Sequence, residues 1–142
     1  MLSNPFGQKL ARRLRKRGIS GVRLSHQLYR DLTQAAEPQG IGAVLRQQWI
    51  HLTSVRVEPN SLWLAVESIE SPGNLGTMVR TAEAAGVSGI FILGVDCDPY
   101  DPAAVRATMG SLFSQALIRC STREFIDWAQ ARGVAVVGSS PI

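Results

Sequence analysis

The stretch ESPGNLGTMVRTAEAAGVSGI (70–90) places an arginine outside the apolar face of a predicted helix. Arg80 lies on a different face from the apolar positions, and Asn74 stands where a helix N-cap is expected. An arginine that packing does not require is a candidate for chemistry. The apolar positions recur at intervals of three and four and predict a face packed on a sheet: Leu75, Met78, Val79, Ala82 and Ala85.

The start of this predicted helix is suited to an anion. Gly73 and Gly76 lie near its N-terminus, where free backbone N–H groups and the positive end of the helix dipole attract negative charge. Arg80 adds a planar, permanently charged guanidinium that suits phosphate. Spacing alone leaves an alternative open, in which Arg80 is a solvated residue paired with Glu83 or Glu70. The dinucleotide fingerprint G-x-G-x-x-G is absent.

Positive charge is concentrated at the beginning of the chain. Residues 1–30 hold eight Lys or Arg and no Asp or Glu, whereas residues 31–142 hold seven Lys or Arg and eleven Asp or Glu. NPFGQKLARRLRKRG (4–18) predicts a helix with Asn4 as N-cap and Pro5 at its first position. One broad face of this helix carries five of the cations: Lys9, Arg12, Arg13, Lys16 and Arg17.

This basic arm suits the RNA backbone, because Lys and Arg bind phosphates without regard to sequence. A solvated helix, a helix on a membrane surface and an organellar presequence are the alternatives. A composition of 45% hydrophobic and 18% charged residues is typical of a soluble globular domain. Neither the two cysteines, Cys97 and Cys120, nor the two histidines show metal-ligand or disulfide spacing. We therefore expect a cytoplasmic protein without a metal or a membrane partner.

Apolar strands alternate with helices from residue 62 onward, and this alternation predicts a parallel sheet with helices on both faces. The predicted strands are LWLAVES (62–68), GIFILG (89–94), QALIRCS (115–121) and VAVVGSS (134–140). The predicted helices are 75–85, 102–113 and 122–133. Thr122 is the predicted cap of the last helix, and Glu124 lies near its start.

The preceding part of the chain is less regular. LSHQLYRDLTQAA (24–36) predicts a helix capped by Ser25, and IGAVLRQQ (41–48) a short strand. The turn EPNS (58–61) suggests a boundary between residues 1–59 and 60–142. The chain stops at Ile142, just after a predicted strand, where ligands bind in parallel α/β domains. From this we expect part of a longer protein that lacks part of its own site.

The stretch from Glu70 to Gly94 resembles the first signature motif of the SpoU-type RNA 2′-O-ribose methyltransferases of the SPOUT superfamily. That motif is N-x-G-x-x-x-R, then a small-residue helix and a G-x-x-x-I-x-L-x-G strand. EPQGIGAVLRQ (37–47), VRATMGSLFS (105–114) and VAVVGSS resemble further segments of the family, so the likeness covers roughly residues 37–142. The motif positions in this chain are Asn74, Gly76, Arg80, Gly86 and Gly94.

The resemblance implies a fold, a cofactor and partners. The chain would form the first part of an α/β trefoil-knot methyltransferase domain, preceded by the basic helical arm and a partial substrate-binding domain. The family binds S-adenosylmethionine, works as a homodimer and methylates rRNA or tRNA. Its G-x-E-G-x-G loop and Ser/Asn-rich donor segment do not occur here, and the substrate domain is shortened. We therefore expect these 142 residues alone to be inactive.

The resemblance also assigns roles to residues. Arg80 would activate the 2′-hydroxyl, Asn74 would orient it, and the donor pocket would include Gly138, Ser139 and Ser140. Because a guanidinium hardly deprotonates in proteins, we interpret Arg80 as a clamp for the developing oxyanion and for phosphate. Asn74 as a pure helix cap, and the two serines as turn residues before Pro141, remain open.

Two other classes of protein fit the sequence. A non-catalytic RNA-binding protein would keep half of the methyltransferase fold and lose the donor site. A small nucleotide-binding α/β protein would need an acidic ribose-binding residue after the second strand, which Asp96 or Asp98 would supply. The missing glycine fingerprint argues against this second class.

Overall fold

A computed structural model of the protein describes residues 5–33, 40–94 and 98–139. Its contacts divide the chain into two units, Met1–Arg46 and Gln47–Ile142, which are described separately. The division therefore lies before the boundary that we predicted after residue 59. Residues 47–59 belong with the second unit because the Ile50 N–H donates to the Leu117 carbonyl at 2.8 Å and Val55 is buried in its core.

The described part of the first unit contains two helices, α1 (Pro5–Lys16) and α2 (His26–Thr33). The predicted cap of α2 is confirmed, since Ser25 Oγ accepts the Leu28 N–H at 3.2 Å. Asn4 and the predicted end of α2 lie outside the described residues. The strand predicted at 41–48 is wrong. These residues have no regular structure, and Val44 and Leu45 are exposed rather than packed against a sheet.

In the second unit, the described residues form a parallel sheet of three strands in the order β1–β2–β3. The strands are β1 (Trp63–Glu67), β2 (Gly89–Leu93) and β3 (Leu117–Cys120), so the first three predicted strands are confirmed. Every residue of β2 is buried. A continuous apolar run is what a central parallel strand needs, because both of its faces are covered.

Helices cover both faces of this sheet, as predicted. They are α3 (Pro72–Ala84), α4 (Pro102–Ala107) and α5 (Thr122–Ala131). Ile90 and Ile92 pack in one cluster with Leu75 and Val79 of α3. Phe91, between them, packs on the opposite face with Trp128 of α5, their ring centroids 4.8 Å apart. The alternation along β2 thus builds one core on each face. No helix in the described ranges is long and apolar enough to cross a membrane.

Two boundaries in this unit differ from the predicted ones. The helix predicted at 102–113 ends at Ala107, because Met109 and Gly110 adopt the left-handed φ values 53° and 101°. A single 3₁₀ turn follows at Ser111–Phe113. Helix α5 is capped by Ser121 rather than by Thr122. The Glu124 N–H donates to Ser121 Oγ at 3.2 Å, and Glu124 Oε2 accepts the Ser121 N–H at 2.8 Å, which completes a capping box.

The fourth predicted strand is not formed. Residues 134–139 have no regular structure, and the side chains of Val136 and Val137 are 60% and 94% exposed. A strand exists only where a neighbouring backbone pairs with it, and the described residues provide none for this segment. Its apolar composition predicted the strand, but composition cannot supply the partner.

Helices α3 and α4 approach each other closely at Gly76, which is fully buried within α3. A Cβ built on Gly76 would collide with the Ala104 carbonyl oxygen and lie 2.6 Å from the Ala107 Cβ. Gly73, one turn earlier in the same helix, is different, since a Cβ there would meet only Ser71 Oγ at 3.8 Å. Gly76 is therefore required by packing, whereas Gly73 is not.

We expect Gly76→Ala to destabilise the fold and Gly73→Ala to leave its stability unchanged or slightly raised. Overpacking against backbone costs ~1–3 kcal/mol, more than the ~1 kcal/mol that alanine gains over glycine in a helix. Urea unfolding of the two variants measures the difference. Equal stability of both variants would show that α3 and α4 separate at no cost.

Candidate functional site

The N-cap of helix α3 is Ser71 and not Asn74. Ser71 has extended backbone angles, and its Oγ accepts the Asn74 N–H at 3.4 Å. Pro72, which has a fixed φ and no N–H to lose, takes the first helical position. The predicted cap is therefore wrong, because the helix starts before Asn74. The consequence is that the Asn74 side chain is exposed and has no hydrogen-bond partner among the described residues.

The predicted anion cradle at this helix start is only partly present. Gly76 is buried against α4, and Pro72 has no N–H. The Asn74 N–H is bound by Ser71 Oγ, and the Leu75 N–H donates to the Ser71 carbonyl at 3.1 Å. Within the described ranges this leaves the Gly73 N–H as the free donor of the first turn. Backbone groups alone would hold an anion weakly here, so charge must come from a side chain.

Arg80 is that side chain. It is exposed on α3, and it forms no hydrogen bond or ion pair with any residue that the structure describes. The pairing with Glu70 or Glu83, left open by the sequence, is not formed. Thr77 and Thr81 on this helix donate their hydroxyls to helix carbonyls at 2.9 Å.

Beside this helix, a side-chain hydrogen bond connects the carboxyl end of β1 to the start of α5. Glu67, the last residue of β1, accepts a short hydrogen bond from the Thr122 hydroxyl at the first residue of α5. Ser68 follows with a left-handed φ of 56°, which turns the chain toward α3. Glu67 is therefore a structural residue that ties β1 to α5, and it does not pair with Arg80.

The remaining candidate residues lie elsewhere in the chain. Gly138 and Ser139 are exposed in the segment after α5, and Ser140 lies outside the described residues. Asp96 and Cys97 also lie outside them. Asp98 is engaged, since its Oδ1 accepts the Tyr100 N–H at 3.0 Å. Among the residues described, no group of three or more His, Cys, Asp or Glu side chains is placed to hold a metal ion.

The basic face predicted for the arm is present on α1. Its five cations are exposed, and none forms an ion pair with a described residue. The last turn of α1 also carries Arg15. These unpaired cations remain available to phosphate groups: Lys9, Arg12, Arg13, Lys16 and Arg17.

The sequence analysis did not predict one hollow, which has a mixed apolar and polar lining. It lies at the outer edge of β3, where residues 49–53 face Arg119, Cys120 and Glu124. The sequence analysis predicted no element for residues 49–53. The aromatic and apolar residues at its start, Trp49 and Ile50, were a signal that this segment packs on the sheet.

A family model described as the SpoU rRNA Methylase family matches residues 61–141, more than half of the chain. The chain therefore belongs to the SpoU rRNA methylase family, and the predicted family is confirmed. The match includes Asn74, Arg80 and all three strands. The trefoil knot of this family is not seen in the described residues and stays a prediction.

Curated relatives and solved structures agree with this assignment. The chain is 30% identical over 123 residues to the 23S rRNA (guanosine(2553)-2′-O)-methyltransferase of Bacillus subtilis, covering 87% of the chain and 48% of that protein. It is 36% identical over 99 residues to the 23S rRNA (uridine(2479)-2′-O)-methyltransferase of Streptomyces viridochromogenes, covering 69% of the chain and 34% of that protein.

An AdoMet-bound rRNA methyltransferase from Sinorhizobium meliloti has the same fold, with a TM-score of 0.79 at 33% identity. The similarity covers 89% of this chain and 49% of that one. The chain thus spans about a third to a half of the length of these relatives. The predicted α/β fold with a parallel sheet is confirmed.

Because Arg80 has no partner in the described structure, Arg80→Ala should change the free energy of unfolding by less than ~0.5 kcal/mol. Thermal unfolding of the purified variant measures this. A melting temperature several degrees lower would show that Arg80 stabilises the fold through an ion pair, and the alternative left open by the sequence would then be correct.

Proposed function

We propose that the protein containing this chain transfers a methyl group from S-adenosylmethionine to a ribose 2′-hydroxyl of rRNA or tRNA. The observation that carries the proposal is that Arg80 and Asn74 are both exposed and unpaired on α3, within the family's first motif. The rRNA 2′-O-methyltransferases among the relatives, and the AdoMet-bound related structure, support the reaction and the donor.

The 2′-hydroxyl is a weak nucleophile, and its oxygen gains negative charge as its proton passes to solvent. The oxygen–methyl bond would form as the sulfur–methyl bond of S-adenosylmethionine breaks and S-adenosylhomocysteine leaves. Bound S-adenosylmethionine supplies the electrophilic methyl group. Arg80 donates hydrogen bonds to the 2′-oxygen and to a neighbouring phosphate, and its fixed positive charge stabilises the developing oxyanion. It does not act as a base, because a guanidinium keeps its proton in proteins. Asn74, which is not used as a cap, orients the ribose through its carboxamide.

The topology supports a donor site beside β1. Helices α3 and α4 lie on one face of the sheet and α5 on the other, so the chain changes face after β3. Because parallel crossovers are right-handed, the segment after α5 is directed to the free edge of β1. In parallel α/β sheets, ligands bind at the carboxyl ends of the strands, at the point where the chain changes from one face of the sheet to the other. Gly138, Ser139 and Ser140 are proposed to reach the donor there.

RNA binding is assigned mainly to the arm. The sequence after residue 30 has an excess of acidic residues, so the cations of α1 must supply most of the affinity for phosphates. The homodimer that the family resemblance implies is part of the same proposal. A second candidate, a non-catalytic RNA-binding protein, is favoured by one observation, which is that a single free N–H remains at the start of α3.

In the complete gene product, Arg80→Ala should lower methyl-transfer turnover ~10²–10³-fold, the usual cost of one preorganised donor. Arg80→Lys should not restore full turnover, because lysine lacks the planar fork. Arg106→Ala is the matched control, since Arg106 is also exposed and without a hydrogen bond or ion pair within the described ranges. Transfer of labelled methyl from S-adenosylmethionine to a ribosomal RNA transcript is the measurement.

Three outcomes of that assay decide between the candidates. Near-normal turnover of the Arg80→Ala enzyme would remove Arg80 from the mechanism. Methylation of a base instead of a ribose would contradict the proposed reaction. Binding of RNA by the wild-type product without any methyl transfer would identify a non-catalytic RNA-binding protein.

The contribution of the arm is tested by salt dependence. Replacing Arg12, Arg13, Lys16 and Arg17 with alanine should weaken binding to a ribosomal RNA transcript. The slope of log affinity against log salt should fall by up to ~3–4, at roughly 0.7–0.9 per phosphate contact. Replacing Arg123 and Arg132 of the second unit with alanine is the control and should change the slope far less. An unchanged slope in the arm variant would show that the arm does not contact RNA.

A further inference from the structure

A hollow of about 300 Å³ lies along the outer edge of β3, away from helix α3. Residues 49–53 form one wall of the hollow, and Arg119, Cys120 and Glu124 form the other. The first wall is held in place by backbone pairing, because Ile50 forms a parallel bridge with Ile118 and donates its N–H to the Leu117 carbonyl. The hollow is thus a fixed feature of the sheet edge.

A cation stacked on an aromatic ring stands at one end of the hollow. The Arg119 guanidinium carbon lies 4.1 Å from the centroid of the Trp49 ring. Trp49 is braced from behind by Tyr100, whose ring meets it edge-on with centroids 5.3 Å apart. The Tyr100 hydroxyl in turn donates to the Gln48 carbonyl at 2.5 Å and accepts the Gln48 N–H at 3.0 Å. Trp49 is therefore a rigid support for Arg119.

Arg119 itself is weakly engaged. Its only ion pair among the described residues is with Asp98, at 3.6 Å, and the two side chains are 41% and 47% exposed. No described acceptor lies within hydrogen-bond distance of its N–H groups. A planar cation backed by an indole and open to solvent is a stacking surface for another flat ring.

Glu124, His51 and Thr53 supply polar atoms to the rest of the hollow, which Ile50 and Leu52 also line. Glu124 Oε2 accepts both the hydroxyl and the N–H of Ser121, and these bonds lower the pKa of the Glu124 carboxyl. Because the lowered pKa keeps this carboxyl ionised at neutral pH, its Oε1, which has no partner in the described structure, is a free acceptor. His51 Nδ1 lies 2.8 Å from Thr53 Oγ1. Cys120 is buried. Its burial and, to a smaller extent, the negative charge of Glu124 raise the pKa of its thiol.

We propose that this hollow binds one unpaired nucleotide of the RNA substrate, with its base stacked on Arg119 and its N–H groups donated to Glu124. The volume is at the lower end of small-molecule sites, which fits a single nucleotide rather than a longer segment. A flat π-system matches the Arg119–Trp49 stack better than an aliphatic group. The carboxylate, which only accepts, favours an exocyclic amino group over the uracil N3–H, because two carbonyl oxygens flank that N–H and repel the carboxylate. The proposal rests on the proposed RNA-modifying function.

Nuclear magnetic resonance of the chain labelled with ¹⁵N tests the site directly. The chain has three tryptophans, and Trp49→Phe assigns the Trp49 indole N–H signal. Adenosine and cytidine 5′-monophosphates should shift that signal in a saturable way, and uridine 5′-monophosphate should bind more weakly. Ribose 5-phosphate, which has no base, should not shift it.

Variants separate stacking from general charge. Arg119→Ala should weaken binding ~5- to 150-fold, the usual range for loss of one stacking contact. Arg119→Lys keeps the positive charge, but it should also weaken binding because lysine lacks the planar guanidinium on which a base can stack. Arg132→Ala is the matched control, since Arg132 stacks on Trp128 at 5.1 Å outside the hollow and should leave binding unchanged. Glu124→Gln should reduce the difference in affinity between uridine 5′-monophosphate and the other two nucleotides, because an amide both donates and accepts hydrogen bonds.

Several results would overturn the proposal. These are an equal shift with ribose 5-phosphate, no shift of the Trp49 signal up to ~10 mM nucleotide, and equal loss of binding in the Arg119→Ala and Arg132→Ala variants. The Trp63 and Trp128 signals report whether each variant is folded. The titration needs neither the methyl donor nor turnover, so nucleotide binding without methyl transfer would count against the proposed function alone. Methyl transfer without nucleotide binding would count against the hollow alone.

Discussion

The close approach of α3 to α4 at Gly76 fixes which face of α3 is free for chemistry. With no side chain at Gly76, the Ala104 carbonyl lies against the α3 backbone, while Leu75 and Val79 are fully buried on the sheet. Two sides of the helix are thereby used by packing. Arg80 and Asn74 lie on the part that remains, so their exposure follows from the packing of their neighbours. The glycine of the family motif is explained here by helix packing and not by a bound anion.

Much of the fold could be predicted from the sequence because its strongest signal is apolar periodicity. The runs WLAVE, GIFIL and LIRC pair as predicted, and the spacing of Leu75, Val79 and Ala82 identified the buried face of α3. Both cap predictions in this unit failed for one reason. Two cap-forming residues stand close together at each helix start, Ser71 with Asn74 and Ser121 with Thr122. Sequence cannot tell which one has extended backbone angles.

The failed strands have a different cause. Residues 41–48 and 134–140 have strand-like composition, yet the described parts of both lack regular structure. Pairing depends on a free edge at the right place, which composition does not encode. The outer edge of β3 is instead contacted at one position by Ile50, from a segment whose sequence signal was limited to the pair Trp49 and Ile50. The hollow beside it could not be predicted either, because Trp49 and Arg119 are 70 residues apart in the chain.

The distribution of charge explains why an unpaired arginine on α3 is informative. The chain after residue 30 has more acidic than basic residues, so partners for an exposed arginine are common. Three glutamates stand near Arg80 in sequence, and none pairs with it. Glu67 instead accepts the Thr122 hydroxyl, which holds that carboxylate at the edge of the sheet. A surface ion pair contributes at most ~1 kcal/mol, so leaving Arg80 unpaired costs little stability. It also leaves the cation free to meet a phosphate or an oxyanion without first breaking a bond within the protein.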